Sequence, residues 1–237
     1  MAIQQMLLGV GSADKKTYVD DVFSNYVYVG TGNSFSVNNG IDLAGEGGMT
    51  WFKYRTETWA HALFDSERGI TKGLESHSGS TEYTVTNTAL SSYNNNGFSV
   101  GSDTDGFIQT NGKKSVSWTF RKAPGFFDVV TWSGNATSGR QIPHNLGCVP
   151  GAIFTKRLNV SENWLCYHKG MGNEKYIHLN LTNQMGDATY WNDTDPTSTY
   201  FTVNDAQQIN GAGYTYVAYL FAGGDPDYNS VDFDGDD

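Results

Sequence analysis

The chain has 237 residues, a formal net charge of −10 and a hydrophobic content of 38%. Its Lys and Arg residues are scattered along the sequence, whereas a surface that binds nucleic acid needs them clustered, so we expect no nucleic-acid partner. No stretch approaches the roughly eighteen consecutive apolar residues of a membrane-spanning helix, and we expect no membrane span.

The first segment, residues 1–21, stands apart from the rest of the chain. It carries an apolar cluster without the basic residues that open a signal peptide, and Gly9 and Gly11 separate this cluster from the polar stretch "SADKK". Such a segment either packs on its own domain or docks on a neighbouring subunit or larger assembly. We predict a docking arm, whose apolar residues are Met1, Ile3, Met6, Leu7 and Leu8.

Residues 22–123 form the first predicted module. Its strand-like runs are short, carry Val, aromatic residues and Phe at alternate positions, and are bounded by Gly, Asn, Asp and Ser. No segment keeps the spacing of a long amphipathic helix. In "QTNGKKSVSWTFRKA" the alternating residues Val116, Trp118 and Phe120 are expected to face the core.

Residues 124–223 form a second module that repeats the first. "QINGAGYTYVAYLFAGG" matches the run at 109–123 with an offset of 101, so Val217, Tyr219 and Phe221 correspond to Val116, Trp118 and Phe120. Three upstream blocks match in the same order; in one of them Arg55 pairs with Arg157 and Trp59 with Trp164. Such order predicts an internal duplication.

The predicted fold is therefore all-β, with two tandem β-sandwich (jelly-roll-like) modules of about a hundred residues each. The boundary falls in "RKAPGFF", where Pro124 and Gly125 interrupt strand pairing. An acidic tail follows at 224–237, with six Asp and few residues that could be buried.

The sequence offers no catalytic or metal-binding motif. It lacks the nucleophile elbow, the zinc-protease helix, the paired cysteines and the phosphate loop that would mark common enzymes. Its five His are dispersed, and its carboxylate pairs are not distinctive. We predict a protein that is not an enzyme, with no cofactor and no metal, and keep a polysaccharide-degrading enzyme as the third alternative.

Several segments together resemble a known family. "QIPHNLGCVPGAIFTKRL", "YWNDTDPTSTYFTV" and "NGAGYTYVAYLFAGG" are similar to a repeated β-rich module of tailed-bacteriophage virion proteins, particularly those of marine phages, often described as tail fibre or minor tail proteins. "GIDLAGEGGMTWFKYRTETWAHALFDSERG" and the N-terminal segment resemble a longer form of that family. The resemblance extends from about residue 1 to 224 and omits the acidic tail.

This resemblance implies a virion protein assembled in the host cytoplasm, with other virion proteins as partners. Two functions follow from it: a tail-associated fibre or adsorption protein that contacts host surface polysaccharide, or a capsid decoration or accessory protein. The family and the open sheet edges of short strands also imply a homo-oligomer, with a trimer favoured.

A glycan site needs exposed aromatic rings beside amides or carboxylates, because the apolar face of a sugar stacks on a ring while its hydroxyls form hydrogen bonds. The turn-rich stretch "TYWNDTDPTS" at 189–198 is the best such cluster in the sequence. The competing interpretation is that its Trp belongs to the core and that its polar residues form the turn. The predicted glycan-binding residues are Tyr190, Trp191, Asn192, Asp193 and Asp195.

Overall fold

The strands follow one another in the same order in the two halves of the chain. The structure, a computed structural model, describes residues 17–85, 89–104 and 106–224. The five apolar residues of the predicted arm, and nearly all of the predicted tail, lie outside these residues. The described part contains one short helix, α1 (Val19–Val22), and seventeen strands.

The first half contains nine strands: β1 (Phe23–Val29), β2 (Phe35–Asn38), β3 (Gly48–Tyr54), β4 (Ala62–Asp65), β5 (Lys72–Gly73), β6 (Tyr83–Thr84), β7 (Leu90–Asn94), β8 (Gly97–Val100) and β9 (Lys114–Arg121). The second half contains eight: β10 (Phe127–Ser133), β11 (Arg140–Pro143), β12 (Pro150–Arg157), β13 (Leu165–His168), β14 (Lys175–His178), β15 (Gly186–Asp187), β16 (Tyr200–Val203) and β17 (Thr215–Ala222).

Each half is a β-sandwich of antiparallel sheets. Module 1 has the sheet β1-β9-β3-β4 opposite the sheet β2-β8-β7, with the hairpin β5-β6 beside β4. Module 2 has β10-β17-β12-β13, extended by β14-β15, opposite β11-β16. The order β1-β9-β3-β4 in the first half is thus repeated as β10-β17-β12-β13 in the second, and the predicted all-β fold of tandem sandwich modules is confirmed.

Equivalent side chains in the two modules make equivalent contacts. In module 1 the hydroxyl of Tyr28 donates to the carbonyl oxygen of Ile108 at 2.7 Å. In module 2 the indole Nε1 of Trp132 donates to the carbonyl oxygen of Ile209 at 3.1 Å. Since the register of β1 with β9 matches that of β10 with β17, these contacts occupy the same place in each sandwich.

The strand register corrects two of the residue matches made from the sequence. Arg157 lies opposite Tyr216 on β17, as Tyr54 lies opposite Ser115 on β9, so Arg157 corresponds to Tyr54 and not to Arg55. Trp164 directly precedes β13 as His61 precedes β4, so the match of Trp164 with Trp59 is also wrong. Each sequence match was off by one or two residues, because it paired identical residue types, whereas the strand register gives one offset of 103 at both positions (157 − 54 and 165 − 62).

The alternating apolar residues of β9 do not face the core of their own module. Ser115, Ser117 and Thr119 point inward and are buried, whereas Val116, Trp118 and Phe120 lie on the outer face and are half-buried. The inner side can hold small hydroxyl residues because Phe52 and Phe98 fill the core beside them. The expected core face of β9 was therefore wrong.

Both faces of β17 are buried, since the outer face of its sheet packs against the outer face of the four-stranded sheet of module 1. Tyr216, Ala218 and Leu220 enter the core of module 2. Val217 and Tyr219 instead join a separate cluster with Met49 and Leu63 of module 1. We call this cluster the module junction.

The module junction also contains buried charges. Arg68 donates from Nε to Asp65 Oδ2 at 2.6 Å and from Nη1 to Glu82 Oε2 at 3.1 Å, and the Arg68 side chain is 3% exposed. Tyr219 of module 2 donates its hydroxyl to the same Asp65 oxygen at 2.7 Å. Trp164 Nε1 donates to the carbonyl oxygen of Glu75 at 2.8 Å. Polar and apolar contacts thus join the modules.

Candidate functional site

The predicted glycan cluster contains a core residue. Trp191 is 1% exposed and packs edge-to-face on Tyr167 at 5.6 Å, within the core of module 2. Its Nε1 donates to the carbonyl oxygen of Lys175 at 3.2 Å. A buried ring cannot stack on a sugar, so the expected role of Trp191 is wrong.

The neighbours of Trp191 shape the turn that holds it. Asn192 and Asp193 adopt left-handed backbone angles, with φ of 54° and 47°. The Oδ1 of Asn192 accepts from the hydroxyl of Ser138 at 2.8 Å, and that of Asp195 accepts from Asn173 at 2.7 Å. Tyr190 is half-buried, its ring 5.1 Å from that of Tyr176. This leaves Asp193 and Asp195 as the exposed members of the cluster.

The titratable side chains of the described residues include a buried cysteine, Cys166, and a half-buried histidine, His61. Among those residues, no group of three or more His, Cys, Asp or Glu could hold a metal ion. Burial raises the pKa of the Cys166 thiol to about 12, which keeps it protonated at neutral pH. Burial also lowers the pKa of His61, whose Nδ1 accepts a hydrogen bond from Trp51 Nε1 at 2.8 Å.

An exposed aromatic residue lies in the loop after β3. Trp59 is 42% exposed, and its ring packs edge-to-face on Tyr54 at 4.9 Å. Lys113 Nζ lies 5.6 Å from the centre of the Trp59 ring and 2.7 Å from Glu57 Oε1. We call Trp59, Tyr54, Lys113 and Glu57 the Trp59 shelf. It borders a hollow of about 240 Å³, lined by Ala60, Ala62, Gly106 and Phe107.

The Trp59 shelf has the chemistry sought at 189–198. A ring that is 42% exposed offers a stacking surface, and the Glu57–Lys113 ion pair, with Lys113 Nζ over the ring, offers both a donor and an acceptor. Sequence reasoning missed it because Trp59 was matched to the buried Trp164. The available signal was the polar run "RTET" before it, which places Trp59 in a loop rather than in a strand.

Module 1 also exposes apolar residues on the outer face of its sheet. Val27 and Val29 of β1 are 55% and 54% exposed, and they lie beside Val116 and Lys114 of β9. We call Val27, Val29, Val116 and Trp118 the outer corner. The module junction covers the other end of the same face, where Phe120 lies.

Module 2 has polar residues at the positions equivalent to Val27 and Val29. By strand register, Val27 and Val29 correspond to Thr131 and Ser133 of β10, which are also exposed. Hydroxyl residues suit an exposed strand position, whereas two exposed valines on one strand leave apolar surface in water. The outer corner is therefore a candidate contact surface.

Comparison with protein families places the chain. The model of a family described as a domain of unknown function, DUF7483, matches residues 19–226. The chain belongs to this family. The DUF7483 match covers both modules, so the pair is the unit that the family describes. Neither the curated proteins nor the solved structures contain a match. Within the described residues of this DUF7483 chain, no helix is long and apolar enough to cross a membrane.

Proposed function

We propose that this chain is a structural protein of a bacteriophage virion, a tail-associated fibre or adsorption protein that contacts host surface glycans. The Trp59 shelf is the observation that carries the glycan contact. Its ring is 42% exposed and packs edge-to-face on Tyr54, and Lys113, which is paired with Glu57, lies over the ring. The virion assignment rests on the sequence resemblance and on the duplicated β-sandwich architecture.

A glycan on the Trp59 shelf would place the apolar face of one sugar ring on the indole. Its hydroxyls would then reach the Glu57 carboxylate and the Lys113 ammonium group. One stacked ring gives modest affinity, so strong adsorption would come from several copies of the chain acting together. Repetition of a weak site suits a protein present many times on one particle.

The test is binding of the purified chain to surface polysaccharide from the host bacterium, measured by affinity electrophoresis. We expect Trp59→Ala to abolish the retardation of the chain by polysaccharide. The control is Tyr190→Ala, which alters the cluster predicted from the sequence and should leave retardation unchanged. Retention of binding by Trp59→Ala, together with its loss in Tyr190→Ala, would move the site to residues 190–195. Binding unaffected by either substitution would contradict the glycan contact on both surfaces.

The alternative proposal is a capsid decoration or accessory protein, and the outer corner favours it. Val27 and Val29 suit contact with another protein rather than with a sugar. Antibodies against the purified chain, labelled with gold, would locate it on intact particles. Labelling of the tail supports the adsorption proposal, labelling of the head supports decoration, and unlabelled particles contradict both.

The N-terminal arm belongs to the same proposal, although its apolar residues lie outside the described residues. If residues 1–21 dock on another virion protein, deleting residues 1–11 should leave a soluble chain that unfolds cooperatively but no longer enters particles. A truncated chain that enters particles at the normal level would contradict the docking role. A sharp fall in melting temperature with aggregation would instead show that the arm completes its own module.

A further inference from the structure

Strand β1 forms an open edge of its sheet. It pairs in regular register with β9, and within the described residues no strand pairs with its other side. Three consecutive residues, Asn25, Tyr26 and Val27, are exposed, so both faces of the strand reach solvent. The strand carries no charged residue, no proline and no bulge, which are the features that usually protect an edge.

The equivalent strand β10 has such protection. Asp128 near its start is buried, accepts a hydrogen bond from the backbone N–H of Asn145 at 2.7 Å and lies 3.3 Å from Lys122 Nζ. Its exposed positions, Thr131 and Ser133, are polar. One fold therefore carries a protected edge in module 2 and an unprotected, apolar edge in module 1.

We propose that β1 pairs antiparallel with β1 of a second copy of this chain, about a twofold axis that passes through Val27. The four-stranded sheets of the two copies would then form one continuous sheet of eight strands. In this register Val27 faces Val27 of the second copy, and Asn25 faces its Val29. Residues with odd numbers pair with residues with odd numbers, so the outer corners of both copies lie on the same face.

Charge favours a second copy on this edge. The chain carries a net charge of −10, so most approaches between two copies bring like charges together. Strand β1 carries no charged residue, and Lys114, opposite Val29 on β9, is an exposed cation on the same face. The contact also continues an existing interface, because module 2 already covers the Phe120 end of the same sheet face.

This contact is closed by its symmetry. A twofold pairing of identical edges uses up both edges and stops at a dimer, whereas a trimer needs two different surfaces on each copy. The proposal thus replaces the trimer favoured from the sequence. It does not depend on where the chain resides, so it can hold or fail independently of the virion assignment.

The test is sedimentation velocity of the full chain at several concentrations. We expect a dimer for the unaltered chain and a monomer for Val27→Lys and for Val27→Glu, because each places two like charges directly opposite each other. Mixing the two variants should restore a dimer that contains one of each. Thr131→Lys, at the equivalent position of module 2, should leave the dimer intact. A monomeric unaltered chain, or a Val27→Lys variant that remains dimeric, would overturn the proposal.

Residues 1–16 are the other segment that could cover β1. A chain that lacks them should still be dimeric if the second copy occupies the edge. If the unaltered chain is monomeric and the shortened chain dimerises, then residues 1–16 cover the edge and the proposal is wrong. Circular dichroism of each variant checks that the β-sheet content is retained.

Discussion

Tyr219 links the two modules through a single hydroxyl group. That hydroxyl donates to Asp65 Oδ2 at 2.7 Å and accepts from Arg68 Nη2 at 3.1 Å. Burial raises the pKa of Tyr219 well above its ordinary value of 10.0, so the hydroxyl keeps its proton and remains a donor. The Asp65 carboxylate, which has no access to solvent, depends on that donor and on Arg68.

Tyr219→Phe should therefore destabilise the protein without altering its fold. Removing a hydrogen bond to a buried charged group costs about 1.5–3 kcal/mol. The free energy of unfolding in urea measures this loss. Tyr214→Phe is the control, because its ring lies over Arg157 and keeps that contact without the hydroxyl. A Tyr219→Phe variant as stable as the unaltered chain would show that Arg68 alone satisfies Asp65.

A second residue-scale feature explains why the duplication is only partly visible in the sequence. In module 1 the backbone N–H of Thr110 donates to the hydroxyl of Tyr54 on β3 at 2.9 Å. In module 2 the equivalent N–H, of Gly211, donates to the hydroxyl of Tyr216 on β17 at the same distance. The hydroxyl group thus accepts the equivalent hydrogen bond in both modules, but its tyrosine lies on β3 in module 1 and on β17, the counterpart of β9, in module 2. A residue-by-residue match cannot detect this exchange.

At the scale of elements, β9 and β17 meet across the module junction. Phe120 and Phe221 occupy equivalent positions, and their ring centres lie 5.8 Å apart. Each also contacts the first residue of the strand beside it: Phe23 at 5.0 Å from Phe120, and Phe127 at 5.2 Å from Phe221. Both rings are half-buried, so their value comes from the junction rather than from either sandwich core.

Phe120→Ala and Phe221→Ala should consequently be non-additive. Each should lower stability by about 1.5–3 kcal/mol, the value of a large apolar side chain removed from its neighbours. The double variant should lose less than the sum, by about 0.5–3 kcal/mol, because the rings contact each other. The control pair, Phe98→Ala and Phe201→Ala, lies at equivalent positions in separate cores and should be additive. Additive losses for Phe120 and Phe221 would mean that the rings do not stabilise each other.

The sequence predicted the elements better than their faces. Short alternating runs bounded by Gly and Asn gave the all-β class, and the offset of 101 residues correctly matched β9 with β17. The core face of β9 was predicted wrongly because its inner side carries Ser115, Ser117 and Thr119, while its large apolar residues lie on the outer face. On β17 both faces are buried, so alternation does not reveal which side is the core of its own module. Trp191 was predicted to be exposed for a different reason. Polar residues that form a turn around a buried ring have the same sequence pattern as polar residues beside an exposed ring.

At the scale of the whole molecule, buried tyrosines make stability sensitive to high pH. Burial raises the pKa of Tyr216 to about 12 and raises that of Tyr219 well above 10.0. The unfolded chain releases these protons near pH 10.0, the ordinary tyrosine pKa, whereas the folded chain retains them. Above that pH the unfolded state binds fewer protons, and the stability that is complete below it is lost as pH rises.

The urea midpoint should therefore fall steeply above the ordinary pKa of tyrosine. Each buried tyrosine contributes about 1.4 kcal/mol per pH unit until its own folded pKa is reached. Tyr219→Phe removes one such group and should make the decline shallower by that amount. Stability that stays level while phenolate absorbance rises in the folded protein would show that these hydroxyls are accessible to solvent.

A connection of only five residues, 122–126, joins β9 of module 1 to β10 of module 2, whereas the module junction involves several strands of both modules. The hydrogen bonds of Tyr219 with Asp65 and Arg68, and the contact of Phe120 with Phe221, already join the two sandwiches. The peptide link therefore keeps the modules close during folding and contributes less to their association once they are folded. We therefore expect that the protein can be divided into two separate chains that still associate. Halves divided beside Pro124 and produced together should associate into the native assembly, whereas either half produced alone would expose its junction surface and aggregate.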